Sequence, residues 1–575
     1  MARTATPDLA TARRLPNVWD LVAILFVFGV LIAVAHVTPE TLKPLDAPQA
    51  TVVSLDPGHL PAYALRTTLR MFAALFASLV FTFTFAPLAA KSRRAGLVMV
   101  PLLDILQSVP ILGFLSFTTA FFMSLFPGRV AGLELAAIFA IFTSQAWNMA
   151  FSMFQSLTTI PADLDEATRS FRLSGWQRFW KLEVPFAMPG LVWNMMLSMS
   201  GGWFFVVASE AISIGDTTWK LPGIGSYVAV ALDQRDIRAV FYAIGAMLVV
   251  ILAYDQLLFR PLVAWSAKFR FEVVAGPKAE DPWVLKLLRR THALRAVGGL
   301  IGQALGALGR LRPPRRMARP VLRRASASRA GDAVFLGIVA VVVVAAAWRI
   351  VSYVTGSNVG WADLGQAVEL GCFTLLRVVV LIALASLLWV PIGVWLGLRP
   401  AWARRAQPVV QFLAAFPANL FFPIFVIAIV HFNVNRDIWL TPLMILGTQW
   451  YILFNVIAGA SVFPGDLQEA ARNFQVGGWL WWRRVILPGI FPYFVTGAIT
   501  ASGGSWNAAI VSEVAAWGST KLSAHGLGAY IAQATDRGDF PRIVLGVVVM
   551  SMFVLAFNRA LWRPLFTYAT RRLTL

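Results

Sequence analysis

The chain has a single cysteine, Cys372, in 575 residues, which excludes an intramolecular disulfide and any cysteine-based metal cluster. Its histidines, at positions 36, 59, 292, 431 and 525, are too scattered to form a catalytic or metal-binding group. No stretch reads Gly-x-x-x-x-Gly-Lys-Ser/Thr, so there is no Walker A loop and no means of hydrolysing ATP. Charge is the largest deficit: Asp, Glu, Lys and Arg make up 13% of residues, against about 25% in a soluble domain. Such a chain cannot clothe itself for water. What it has instead is apolar: 58% hydrophobic residues, a mean hydropathy of +0.69, 22 Trp and 42 Phe, the aromatics suiting interfacial belts and lipid-facing packing. The charge that remains is lopsided, 49 basic against 28 acidic residues, which in a membrane protein marks cytoplasmic loops.

Apolar stretches long enough to cross about 30 Å of hydrocarbon run near 19–37, 69–90, 97–125, 131–156, 186–211 and 238–260. They recur near 332–352, 369–397, 408–431, 438–461, 489–513 and 541–565. Each must be a helix, because backbone groups in a bilayer find no water. The expectation is an all-α integral membrane protein of about twelve transmembrane helices. The first stretch is long, and no small-residue cleavage site follows His36-Val37-Thr38-Pro39, so it reads as a span rather than a cleaved signal. Lys91, Arg93, Arg94, Arg399, Arg404 and Arg405 fall on one side if every stretch crosses, together with Arg3, Arg13, Arg14, Arg563, Arg571 and Arg572. That side is the cytoplasm, so both termini are expected there. Between Lys268 and Arg329 stand 15 basic and 3 acidic residues. With Pro313-Pro314 and an apolar-basic run from Trp283 to Arg312, this segment reads as a linker helix on anionic lipid. No aromatic interleaving or recognition fold points to nucleic acid. The expected domains are 1–265, the linker 266–330, and 331–575.

The two sets of spans are copies. Glu166-Ala167-Thr168-Arg169 returns as Glu469-Ala470-Ala471-Arg472, an offset of 303 that also pairs Gly175 with Gly478, Pro185 with Pro488, Pro189 with Pro492, Trp203 with Trp506 and Glu210 with Glu513. Upstream the offset is 307, pairing Leu69-Arg70 with Leu376-Arg377 and Pro110 with Pro417. Six helices precede the return, so the copies are parallel and related by a pseudo-two-fold axis along the membrane normal, with a permeation path expected between them.

Each half has one conspicuous cytoplasmic excursion between its fourth and fifth spans. The first starts at Ile160-Pro161-Ala162-Asp163-Leu164 and the second at Phe463-Pro464-Gly465-Asp466-Leu467. A proline-led start with acidic residues in the first turn predicts a short helix. Leu164, Ala167 and Phe171 make an apolar ridge at three-to-four spacing, repeated by Leu467, Ala470 and Phe474. Glu166 with Arg169, and Glu469 with Arg472, are spaced to pair, and Pro185 and Pro488 are expected to stop the excursion before the next span.

These loops resemble the EAA loop of ABC importer permeases: Glu-Ala, a glycine, then a hydrophobic residue and proline, with 19 residues from Glu166 to Pro185 and from Glu469 to Pro488. Gly-Trp at 175–176 and 478–479 and the Gly223-Ile224-Gly225-Ser226-Tyr227 run are similar to the nitrate/sulfonate/taurine branch. The family's glycine six residues after Glu is Arg172 in one copy and Gln475 in the other, which departs from the pattern at the turn. The resemblance implies two tandem six-helix type I importer permease bundles in a bacterial inner membrane. It implies docking of two separate ATP-binding subunits through Leu164, Glu166, Ala167, Arg169, Phe171, Gly175, Leu467, Glu469, Ala470, Arg472, Phe474 and Gly478. ATP and magnesium would then sit on those partners, and a solute-binding protein would deliver a small solute, an oxyanion or sulfonate by analogy.

Polar residues inside spans nominate a translocation path: Gln145, Asn148, Asn194, Ser198 and Trp203 in the first half, and Gln449, Asn455, Ser505, Trp506 and Asn507 in the second. Glu210 and Glu513, ending the fifth spans, are either an external gate or locally paired. Gly201-Gly202 and Gly503-Gly504 serve close packing or a helix break, and Pro110 and Pro417 are expected to kink the third spans. The chief alternative is a twelve-helix secondary transporter driven by an ion gradient. It lacks support from a Gly-Asp signature beside Lys91-Ser92-Arg93-Arg94. A membrane enzyme would need clustered catalytic groups, and none is present.

Overall fold

A computed structural model describes residues 53–214, 217–269, 282–291, 329–461, 463, 465–517 and 520–572, together with Pro44, Gly299, Gln303 and Ala307. The span expected at 19–37, the arginines at 3, 13 and 14, and most of the basic linker lie outside the described residues. Those described fall into two compact units. One gathers Ser156–Val192 with 253–269 and 282–291, and the other gathers 53–155, 193–252 and 329–572.

The architecture is helical. Among the described residues eight helices are long and apolar enough to cross a membrane, or eleven if each sharply bent pair counts as one span. The first half comprises α1 (Leu60–Lys91), α2 (Arg93–Ser108), α3 (Leu115–Leu125), α4 (Val130–Thr158), the excursion helix α5 (Ala162–Ser170), α6 (Gly175–Arg178), α7 (Val184–Glu210), α8 (Ile224–Asp233) and α9 (Ile237–Tyr254). Helices α10 (Arg260–Ser266) and α11 (Trp283–Arg290) follow. The second half repeats the series. After α12 (Arg329–Thr355) come α13 (Trp361–Gly397), α14 (Pro400–Ala415), α15 (Phe422–His431), α16 (Arg436–Trp439) and α17 (Trp450–Ser461). The excursion helix α18 (Gly465–Asn473), α19 (Gly478–Trp481), α20 (Leu487–Ser512), α21 (Leu527–Asp536), α22 (Phe540–Phe557) and α23 (Arg563–Arg572) complete it. Helix α12 keeps no buried residue in its apolar window, as suits a surface bathed in lipid.

Several expectations change in detail. The third spans are broken rather than kinked: α2 and α3 meet at 91°, and α14 and α15 at 74°. Val109 and Phe416, each preceding a proline, are extended, the conformation the proline ring favours for its predecessor. The stretch 438–461 is not one helix, since 3₁₀ and irregular turns precede α17. Pro185 and Pro488 do not stop the excursion. Helix runs from Gly175 to Glu210 and from Gly478 to Ser512 through π-turns at Phe179–Glu183 and Trp482–Ile486. Matching π-turns at Asp255–Phe259 and Asn558–Trp562 also lead into a proline, so all four are in register at offset 303. A π-turn widens the helix where a proline cannot donate and crowds the preceding carbonyl.

The glycine pairs do not break α7 or α20. A Cβ on Gly201 would sit 3.0 Å from the Tyr451 hydroxyl, and one on Gly202 would strike Met71 and lie 3.0 Å from Gln145 Nε2, so these glycines serve close packing. The all-α expectation holds apart from two antiparallel hairpins, β1–β2 (Ala211–Ile214, Thr217–Lys220) and β3–β4 (Val514–Trp517, Thr520–Ser523). These cap the fifth spans at equivalent positions.

Candidate functional site

The excursion helices carry their ridges on the surface. Phe171 and Phe474 are 78% and 81% exposed, Leu467 is exposed, Leu164 is half-buried, and Ala167, Glu166 and Glu469 are open to solvent while Ala470 is half-buried. Arg169 pairs with Asp165 at 2.6 Å rather than with Glu166 as the spacing suggested. Asp165 is also held by Arg178 at 2.5 Å, and Arg178 reaches Glu183 at 3.2 Å, so α5 is tied by charge to the base of the fifth span. The second half has Gln468, Trp481 and Ile486 at these positions and cannot repeat the tie. Each helix ends in a left-handed residue, Arg172 at φ 49° and Gln475 at φ 52°, where the family pattern has glycine. Leu173 N–H donates to the Thr168 carbonyl at 3.1 Å, and Val476 N–H to that of Ala471 at 2.8 Å. The turn is therefore kept, at a cost of about 1–2 kcal/mol for a side chain in that conformation. Gly478 is also left-handed (φ 58°), whereas Gly175 opens α6 under a Ser174–Gln177 capping box.

Most of the nominated path residues join helices within one half. Gln145 is fully buried and donates Nε2 toward the sulfurs of Met71 and Met199, at 3.5 and 3.3 Å. Asn148 accepts from Gln107 at 3.2 Å, and Asn194 donates to Ser152 at 3.0 Å. Gln449 accepts from the Trp389 indole at 2.9 Å, and Asn455 bonds back to the Tyr451 carbonyl at 2.8 Å. Ser505 meets Thr448 at 3.1 Å. Ser198, Trp203 and Trp506 are buried, Trp506 stacking near Phe553. Asn507 differs, because its Oδ1 accepts from Ile111 N–H of the first half at 2.7 Å.

Glu210 and Glu513 are locally paired, in two corresponding clusters whose backbone donors, Gly225 and Ala529, differ by one position in register. In the first, Glu210 accepts from Arg70 Nη1 at 2.6 Å, Thr67 Oγ1 at 2.7 Å and Gly225 N–H at 2.6 Å. Arg70 also makes a bidentate fork to Glu134, at 2.6 and 2.7 Å, and donates to the Pro222 carbonyl. In the second, Glu513 accepts from Arg377 at 2.9 Å, Thr374 at 2.8 Å and Ala529 N–H at 3.0 Å. Asp437 replaces Glu134, one methylene shorter, and keeps a single 3.3 Å contact to Arg377. It turns instead to His525, whose N–H donates to it at 2.7 Å. Each cluster fastens the second span, the fifth span and the helix after the hairpin. Thr67, Arg70, Glu134, Thr374, Arg377 and Asp437 were not among the nominated residues. The readable signal was an arginine inside an apolar span, repeated at offset 307, with a glutamate repeated at offset 303 to neutralise it.

A family model described as binding-protein-dependent transport system inner membrane component matches residues 78–259 and again 389–561, more than half of the chain. The chain belongs to this family. The bicarbonate transport system permease protein CmpB of Synechococcus elongatus is 27% identical over 186 residues, 32% of this chain and 64% of that protein. The nitrate import permease protein NrtB of Leptolyngbya laminosa is 25% identical over 199 residues, 34% of this chain and 68% of its own length. The glycine betaine/proline betaine transport system permease protein ProW of Escherichia coli is 30% identical over 211 residues, 36% of this chain and 54% of its own length. The chain thus spans about two thirds or less of these relatives. An ion-driven secondary transporter finds no support among them.

Two inner-membrane-component domains in one chain have diverged in compensating ways. Gln145 fills the space beside Gly202, whereas the equivalent Thr448 bonds to Ser505, which stands where the first domain has that glycine. A long side chain opposite glycine and two short hydroxyls opposite each other are alternative ways to close the same helix crossing.

Proposed function

We propose that this chain is the fused permease of an ATP-driven importer. Its two inner-membrane domains form a path for a small solute, and two separate ATP-binding subunits drive it from α5 and α18. The observation that carries this reading is the pair of in-register surface helices, each with an alanine-lined apolar ridge capped by a phenylalanine about four-fifths exposed. Exposed aromatics on a short, internally fixed helix suit a groove on a partner. ATP and magnesium belong to those subunits, and a solute-binding protein delivers the cargo. The solutes named for the relatives, bicarbonate, nitrate and betaines, make a small oxyanion or zwitterion the class to test first. Both termini lie in the cytoplasm of a bacterial inner-membrane protein, following the arginine-rich loops.

The test replaces Glu166 and Glu469 together, and in a second variant Phe171 and Phe474 by Ala. Solute-stimulated ATP hydrolysis is then measured in the assembled complex. Loss of a central aromatic anchor of about 2 kcal/mol weakens docking about 30-fold, so stimulation should collapse. Unchanged coupling in both variants defeats the proposal.

A further inference from the structure

Where the second span of the second half turns into the broken third span, arginine and tryptophan alternate on the surface. Helix α13 carries an outward column of Leu384, Leu388, Pro391 and Trp395, each exposed and three or four residues from the next. The apolar span ends at Gly397, so Trp395 lies at headgroup level, which suits an indole. Arg399 follows one turn later, at the N-cap of α14. Helix α14 is seated by Ala403, Ala406 and Val410 in one apolar cluster with Leu453, Phe454 and Ile457 of α17. That packing turns Trp402 and Arg405 outward, and both are exposed.

The two arginines lie over the two rings. The Arg399 guanidinium carbon is 4.6 Å from the centre of the Trp395 ring and that of Arg405 is 5.9 Å from the Trp402 ring, with the indoles 5.7 Å apart. Stacking on an indole fixes the plane of a guanidinium and leaves its N–H edge for another ligand. Arg399 gives one N–H to the Trp395 carbonyl at 3.0 Å, and neither arginine has a carboxylate partner among the described residues. No Asp or Glu stands between Glu369 and Asp437 in the sequence. The first half does not repeat the arrangement. At offset 307, Leu88, Ser92, Ala95 and Val98 stand where the second half has Trp395, Arg399, Trp402 and Arg405. Neutral balance of a loop does not account for this, since it calls for basic residues and not for rings beneath them.

We propose that this cluster binds the phosphodiester of an anionic phospholipid. Arg399 and Arg405 take the headgroup oxygens, the indoles sit at the glycerol level, and one acyl chain follows Leu388 and Leu384. A phosphodiester offers paired oxygens to a guanidinium fork. The leucine column selects a lipid over a soluble phosphate, because it carries the site on into hydrocarbon. The lack of any nearby carboxylate selects an anionic headgroup over a zwitterionic one, whose ammonium finds no counter-charge here. The site belongs to the second half alone, so each chain holds one such lipid.

The test titrates the full-length chain, purified in detergent, with phosphatidylglycerol, with phosphatidylcholine of the same acyl chains, and with inorganic phosphate, and counts bound lipid by native mass spectrometry. The first phosphatidylglycerol should bind at least tenfold more tightly than phosphatidylcholine and should resist displacement by inorganic phosphate. Arg399→Gln with Arg405→Gln should weaken it about 25-fold, at about fivefold for each charge lost near the surface. Arg559→Gln with Arg563→Gln removes two charges from exposed positions at the end of the last span and should leave binding within about twofold. Trp395→Leu with Trp402→Ala keeps every charge, installs the first half's residues and should still weaken binding at least fivefold. No preference for the anionic lipid, displacement by inorganic phosphate, equal losses in the two arginine variants, or unchanged binding in the tryptophan variant overturns the site.

Discussion

Removing Arg70 should damage this protein more than removing Glu210, and the geometry sets the order. The Arg70 side chain is 4% exposed and Glu210 0%, so neither charge can turn to water once its partner is lost. Arg70→Met strips the cation from two carboxylates at once, Glu210 and Glu134, and leaves a buried uncompensated charge, a loss of about 3–5 kcal/mol. Glu210→Gln leaves Arg70 forked to Glu134 and keeps one amide oxygen for Arg70 and Thr67, while its NH2 takes the place of the oxygen that accepts from Gly225 N–H. It forfeits one charge-assisted bond of about 1.5–3 kcal/mol. In the double variant the losses should fall short of their sum by about 1–3 kcal/mol, because the second change removes a charge the first had orphaned. The second half gives the control. Arg377→Met also orphans a buried carboxylate, Glu513 at 2% exposed. The second partner of Arg377, Asp437, is 32% exposed and keeps the His525 N–H, so one buried charge rather than two loses its cation and Arg377→Met should cost less than Arg70→Met. Unfolding of the purified chain in a detergent–SDS titration, followed by circular dichroism, measures all four. If Glu210→Gln equals or exceeds Arg70→Met, or the double variant is additive, the clusters are not the buried ion networks described.

Gly223→Ala and Gly526→Ala should each cost about 3 kcal/mol in the same titration, since a Cβ at either site collides with the Glu210 or Glu513 carboxylate; Gly245→Ala, inside α9 with nothing within 4 Å, should instead stabilise by up to about 1 kcal/mol. Arg172→Gly and Gln475→Gly should relieve left-handed strain and stabilise the ends of α5 and α18 by about 1 kcal/mol, seen as slower amide exchange there; faster exchange would refute the strain. At Asp437 burial pushes the carboxyl upward, but the N–H and ring of His525 and the Arg377 charge outweigh it and hold the group below the ordinary carboxylate range. Its folded value lies below the unfolded one, so its contribution is complete above about pH 4 and is lost as pH falls through the folded value. Amide protection across 520–527 should therefore hold from pH 7 to 5 and drop below 4, and Asp437→Asn should abolish that acid dependence.

Hydropathy and the 303-residue offset alone determined that this is a twice-repeated helical membrane protein with a short polar helix between the fourth and fifth spans of each half. Those facts are local or periodic: a bilayer permits no unpaired backbone, and a duplicated stretch announces itself. The left-handed turns at Arg172 and Gln475 could be placed from the family pattern but not foretold as kept, because side-chain strain of one or two kcal/mol is overridden by what the turn must connect. Pro185 read locally as a helix stop, and tertiary packing instead carried the helix through a π-turn. The roles of the polar residues were decided only by the folded chain. Glu210 and Arg70 are 140 positions apart and Ile111 and Asn507 are 396 apart. No periodicity can say whether a buried polar group at such distance meets a partner or lines a path. That depends on which helix faces which, and helix facing is set by close packing of small residues and by the need to satisfy every buried charge.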